Sequence, residues 1–153
     1  MKPAALDAAI PSGATLLLDT SVVLAYLSGA EPASSGAAVV IDGFVAKGRN
    51  PAIVSTITVT EALVRPMRAG SASAARIIED FLLHFPNLRV DSVTVAIARE
   101  AARIRAESAA PTPDALILAT ALAASAAVVV SGDRRWTAIA RSAGLPIEVV
   151  ILS

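Results

Sequence analysis

Short apolar runs recur along the chain, and stretches with helical spacing separate them. "ATLLLD" (14–19), "PAIVS" (51–55), "NLRVDSV" (87–93), "AVVVS" (127–131) and "IEVVIL" (147–152) read as strands. As a set they are solidly apolar rather than alternating, the pattern of a parallel sheet covered on both faces. The intervening stretches read as helices. "TSVVLAYL" (20–27) has Thr20 or Ser21 as its cap, and "GAAVVIDGFVAKG" (36–48) stops at Gly48. "STITVTEALVRPMRAG" (55–70) is bent or ended near Pro66. "SASAARIIEDFLLHF" (71–85) and "TVAIAREAARIRAES" (94–108) are amphipathic. "TPDALILATALAASA" (112–126) opens with Thr112 as N-cap and Pro113 at the first helical position. "DRRWTAIARSAG" (133–144) ends at Gly144. Strand and helix alternate without repeat or linker, which predicts a single α/β domain. The domain covers residues 15–153, and residues 1–14 form an N-terminal extension.

The longest uncharged stretch runs between Asp114 and Asp133. A membrane-spanning helix needs roughly 20 apolar residues. This run falls short, is rich in alanine, and changes midway from a helical to a β-type composition. It reads as a buried helix followed by a buried strand, crossing the core and returning. Residues 1–14 contain Asp7 and two prolines and lack the apolar block of a signal peptide. The expectation is a cytoplasmic protein with no membrane segment.

Composition narrows the chemistry. Acidic and basic residues balance at 13 each, so no overall field draws in nucleic acid. No cysteine is present, which excludes disulfides, thiolate nucleophiles and cysteine zinc sites. The single histidine, His84, weakens a histidine triad or zinc centre. There is no P-loop and no G-x-G-x-x-G motif. Asp19 is followed by Thr20 and Ser21, so the second acid of a phosphoaspartyl phosphatase is missing. The only lysines, Lys2 and Lys47, stand at no strand end.

In an open parallel sheet, sites form beyond the carboxyl ends of the strands. Four acids fall there. Asp19 ends the first strand, and Asp133 follows the fourth. Glu61 lies one to two turns into the helix after the second strand. Asp114 opens the helix that runs back across the sheet, so both ends of the long apolar run meet at one rim. Each acid alone has a structural reading. Asp114 suits a helix N-terminus, Asp133 a turn, and Glu61 an i, i+4 pair with Arg65. Asp19 resists one, because a lone carboxylate at the end of a central strand is unfavourable to bury. Like charges 4 Å apart repel by about 4 kcal/mol at an effective dielectric of 20. Either some of the four are protonated or a cation sits among them. Oxygen ligands with no histidine or cysteine beside them suit Mg²⁺ or Mn²⁺. Such an ion acidifies a bound water and stabilises charge on a phosphodiester.

"LLLDTSVVLAYL", "TVTEALVRPMRAG", "TPDALILATAL" and "VVVSGDRRW" resemble, in order and spacing, the signatures of PIN-domain ribonucleases, above all the VapC toxins of toxin–antitoxin pairs. The resemblance implies a PIN-like five-stranded parallel sheet flanked by helices and a metal-dependent endoribonuclease acting on single-stranded RNA. It places the catalytic acids on Asp19, Glu61, Asp114 and Asp133, with Asp19, Asp114 and Asp133 on the ion. Supporting hydroxyls fall on Thr20, Ser21 and Ser131. The chain departs from the toxins in its longer N-terminus and in having Ser131 and Gly132 before the last acid. Two other readings stay open: a catalytically silent PIN-like domain that binds RNA or protein, and an unrelated hydrolase of small phosphoesters.

RNA contacts must come from local patches. Arg65 and Arg68 follow Glu61, and Arg134 and Arg135 follow Asp133. Guanidinium groups suit phosphate. Trp136 either stacks on a base or belongs to the core, and Arg99, Arg103 and Arg105 read as a solvated helix face. The helices at 37–47 and 72–85 carry large apolar residues on more than one side, Phe44 and Phe81 among them. Either the helices pack on one another or the excess is an exposed patch. The resemblance implies the patch, with a homodimer and a VapB-like antitoxin as its occupants.

Overall fold

The computed structural model describes residues 3–152. Helix α1 (Pro3–Ala9) precedes strand β1 (Leu16–Leu18), helix α2 (Thr20–Ser28) and helix α3 (Ser34–Ala38). Strand β2 (Ala52–Ser55) leads into α4 (Thr56–Arg68) and α5 (Ala72–His84), and β3 (Leu88–Asp91) into α6 (Val95–Glu107) and α7 (Thr112–Ala123). Strand β4 (Val128–Ser131), helix α8 (Arg135–Ser142) and strand β5 (Glu148–Ile151) complete the chain. The five strands form one sheet in the order β3-β2-β1-β4-β5, and every neighbouring pair is parallel. The protein is therefore the α/β fold that the apolar runs predict.

The inner strands explain why those runs do not alternate. Leu16, Leu18, Val54, Val128 and Val130 enter one core layer, and Leu17, Ile53 and Val129 enter the other. Both faces of β1, β2 and β4 are buried, so every position is apolar. The edge strands β3 and β5 mix buried and exposed positions. The chain turns one way from β1 to β2 and the other way to β4. The carboxyl ends of β1 and β4 thus flank the topological switch point.

Several local expectations change. The helix expected over 36–48 is α3 continued by a π-helical segment, Val39–Val45, in which the Ala46 amide donates to the Ile41 carbonyl at 2.8 Å. Its apolar excess is not an exposed patch. Phe44 is 7 % exposed, and Val40, Ile41 and Val45 are fully buried. Part of their cover is α1, which touches this segment and inserts Leu6 into the same core layer, followed by Ile10. The sequence pattern left residues 1–14 outside the domain, so the expected excess had no partner. Phe81 is likewise core, 8 % exposed, with ring centroids 5.3 Å from Tyr26 and 4.9 Å from Phe85. Trp136 is buried beneath α8 rather than offered to a base. Helix α4 runs through Pro66 to Arg68, since a proline in the last turn removes only one helical bond, to the carbonyl of Ala62. Helix α7 starts one residue early, with Pro111 at the N-cap. No helix among the described residues is long and apolar enough to cross a membrane.

Residues 49 and 50 fasten the N-terminal segment. Asn50, fully buried, donates through Nδ2 to the carbonyls of Pro11 and Ala14, both at 2.8 Å. Arg49 donates to the Ile10 carbonyl at 2.8 Å and pairs with Asp7 at 3.2 Å.

Candidate active site

Asp19 occupies the N-cap position of α2, yet its side chain makes no capping bond. A capping aspartate would accept from the first-turn amides. Instead Oδ2 accepts from Ser21 Oγ at 2.6 Å and Ser131 Oγ at 2.8 Å. These hydroxyls fix the carboxylate at the β1–β4 switch point, where it is 6 % exposed. Burial pushes its pKa up, the two hydroxyls oppose the shift, and the charge of Glu61 adds to it.

Ser21 also accepts from the Gly132 amide at 2.9 Å, and Ser131 accepts from the Asp133 amide at 3.0 Å. The start of α2 is thereby locked to the end of β4. A Cβ at Gly132 would lie 3.2 Å from Ser21 Oγ, so a side chain there would push the lock apart. Glu61 accepts from Thr20 Oγ1 at 2.5 Å. Thr58, fully buried one turn before Glu61, has its hydroxyl 3.1 Å from that of Thr20. Sequence reasoning missed Thr58. The signal was available: a hydroxyl three residues before an acid lies on the same face of a helix.

Asp114, in the first turn of α7, is half-buried, and its pKa is pushed up to about 6. Burial is the largest cause, followed by the charge of Asp19; Arg135 pulls the other way, and Glu61 and Asp133 add to the rise. The four expected acids thus share one field at the carboxyl rim. Asp133 behaves oppositely. The Arg135 side chain holds its pKa below the usual carboxylate range, through Nε at 2.8 Å and Nη2 at 2.5 Å from Oδ2.

The expected RNA-contacting arginines divide. Arg134 and Arg135 stand at the rim, Arg134 lining a cavity of about 560 Å³ with Ser21, Glu31, Pro32 and Asp133. Arg65 instead lines an apolar groove of about 440 Å³ between α2, α4 and α5. Arg68 lies exposed in the last turn of α4. Arg103 is tied to Glu100 and Glu107 along α6, as a solvated face should be.

Among the described residues, no three acidic side chains stand in an arrangement that would enclose an ion. The donors still suit one class of cation. They are all oxygen, and one of them, Asp114, is destabilised as an anion first by burial and then by the charges of its acidic neighbours. A hard ion that keeps several waters needs only one or two carboxylates directly. Such an ion would relieve the repulsion.

One pH effect follows. The folded chain keeps the Asp114 proton up to about pH 6, whereas the unfolded chain releases it near 3.8. Stability from this group is full below about pH 4 and lost as pH rises through 6. Discounted for solvent screening, the loss is about 1–2 kcal/mol. Urea unfolding in EDTA should show Asp114→Asn more stable than wild type at pH 7.5 and the difference gone at pH 4. A lower stability of the variant at pH 7.5 would contradict the clustered charges.

The family model described as PIN domain matches residues 16–142. The fold resembles VapBC2 from Rickettsia felis bound to a promoter DNA fragment, at a TM-score of 0.68 and 15% identity, covering 90% of this chain and 98% of that one. A toxin–antitoxin complex from Klebsiella pneumoniae gives 0.63 and 19%, covering 90% and 98%. VapC20 of Mycobacterium tuberculosis, a sarcin-ricin loop cleaving toxin, gives 0.65 and 18%, covering 80% and 93%. No curated protein matches the sequence.

Proposed function

This chain belongs to the PIN-domain family, and we propose from there that it is a metal-dependent endoribonuclease, the toxin of a VapBC-type pair. The observation that supports the reading is the electrostatic coupling of the rim acids: burial and then the charges of Asp19, Glu61 and Asp133 raise the Asp114 pKa to about 6. Acids that raise one another's pKa in this way are disfavoured as anions without a cation. Asp19, Asp114 and Asp133 would hold Mg²⁺ or Mn²⁺ directly or through water. The ion, when bound, supplies an acidified water and countercharge for a phosphodiester.

The chain's own residues do the rest. Ser21 and Ser131 hold the Asp19 carboxylate in place. Glu61, which accepts from Thr20, would complete the site or take a proton from the attacking water. His84 is exposed on α5 and paired with Asp80, so it offers no alternative base at the rim. Arg134, with Arg135, would face the entering RNA backbone, and Arg68, exposed in the last turn of α4, would add a further phosphate contact, whereas Arg65 borders the apolar groove. The test is cleavage of single-stranded RNA by the purified protein. Cutting in Mg²⁺ or Mn²⁺ that ceases in EDTA and returns on adding the ion supports the reading. RNA bound but left whole would favour the silent binding domain.

The partners follow from the same reading. The similar structures from Rickettsia felis and Klebsiella pneumoniae are toxin–antitoxin assemblies. In this chain the surface that fits an antitoxin is the apolar groove of Leu24, Leu27, Ala62, Pro66, Ile77 and Ile78. Ile77 stays 63 % exposed, unlike Phe44 and Phe81. Helix α5 thus supplies part of the expected surface, and the segment at 37–47 supplies none of it. A homodimer is the other assembly proposed. Ile77→Asp should weaken antitoxin binding about tenfold or more while leaving Mn²⁺ uptake unchanged. Calorimetry with the cognate antitoxin reads the first, and unaltered antitoxin affinity would remove the groove from the interface.

A further inference from the structure

Arg135 grips the Asp133 carboxylate through both its side chain and its amide. Asp133 Oδ2 receives Nε and Nη2 of Arg135, at 2.8 and 2.5 Å, and Oδ1 receives the Arg135 amide at 2.9 Å. A carboxylate has about four acceptor positions, so three are turned toward the start of α8. A cation needs lone pairs directed at itself. We propose that Arg135 is a positioning residue that competes with the metal ion for Asp133, its guanidinium standing in for the cation at that carboxylate.

The inference rests on the reading of the four acids as a metal site and adds a control of that site. Asp19 and Glu61 are fixed by hydroxyls that an ion need not displace, whereas Asp133 is fixed by a rival charge. The Arg135 side chain is 71 % exposed, so packing does not hold it on Asp133. An RNA phosphate at the rim offers the guanidinium an equivalent bidentate partner. Phosphate taking Arg135 frees Asp133 for the ion. By linkage the bound ion then favours phosphate to the same degree. The toxin would thus load its metal most tightly with RNA present.

The experiment is Mn²⁺ binding to the full chain at pH 7.5, followed by the electron paramagnetic resonance signal of free Mn²⁺. Arg135→Met should bind Mn²⁺ about tenfold more tightly than wild type, and Arg135→Lys, which keeps charge but loses the fork, should fall between. In an Asp133→Asn background the same Met substitution should lose most of that gain, leaving only the weaker effect of the Arg135 charge on Asp114. That arm separates competition for Asp133 from the loss of a nearby positive charge. Equal affinities in wild type and Arg135→Met, with only a lowered melting temperature, would overturn the proposal and leave Arg135 a helix-end staple. A full gain persisting in the Asp133→Asn background would overturn it as well. If no variant binds Mn²⁺, the metal-site reading itself fails and this inference falls with it.

Discussion

Asp19→Asn should lower cleavage of single-stranded RNA by about a hundredfold or more in saturating Mg²⁺ or Mn²⁺. The substitution removes a charge and almost no volume. Asp19 lies at the centre of the rim, and its partners Ser21 and Ser131 are hydroxyls that can turn to donate or accept. The fold should therefore survive, and its melting temperature in EDTA should hold or rise, because a buried anion is gone. The direction is unusual, since most substitutions of buried polar groups destabilise. Single-turnover cleavage and a melting curve on the same preparation check both halves. Wild-type rates in the variant would show that the chemistry lies elsewhere.

The second large effect concerns stability. Leu6 and Ile10 are fully buried in the core layer that contains Phe44 and Phe81. Leu6→Ala should reduce stability by about 2–5 kcal/mol through lost burial and a residual cavity. Combined with Ile10→Ala, the loss rivals the roughly 5–15 kcal/mol that holds a typical domain together. Removing residues 1–10 should also strip Arg49 of the Ile10 carbonyl and of Asp7. The shortened protein should then fail to show a cooperative melting transition. A truncated chain that melts within a few degrees of wild type would reduce α1 to an ornament.

How much of this was legible in the sequence depends on the range of the interaction. The central strands were readable because burial on both faces removes alternation, as at Leu16, Leu17 and Leu18. The rim was readable because a charged residue at the end of such a strand, like Asp19, has few structural uses. The helical segment 37–47 was misread for want of a long-range fact. Its second apolar side is covered by α1, some 35 residues away in the chain, and nothing in the local pattern points there. Trp136 was readable, since a lone Trp in an alanine-rich helix belongs more often to the core than to a base stack, and it does pack in the core between α8 and the sheet. Arg135 was readable as a cation near Asp133. Its bidentate hold on that carboxylate depends on side-chain geometry at the start of α8, which spacing alone does not specify.

The proposed chemistry makes one further demand, on the products. Water attack with Glu61 as base does not use the ribose 2′-hydroxyl, and no histidine stands at the rim to activate it. The most direct test is to incubate end-labelled single-stranded RNA with the purified protein in Mn²⁺ and in EDTA, and to identify the ends produced. The account predicts cleavage in Mn²⁺ only, with no 2′,3′-cyclic phosphate on the products. Cleavage that persists in EDTA and leaves cyclic phosphates would contradict it.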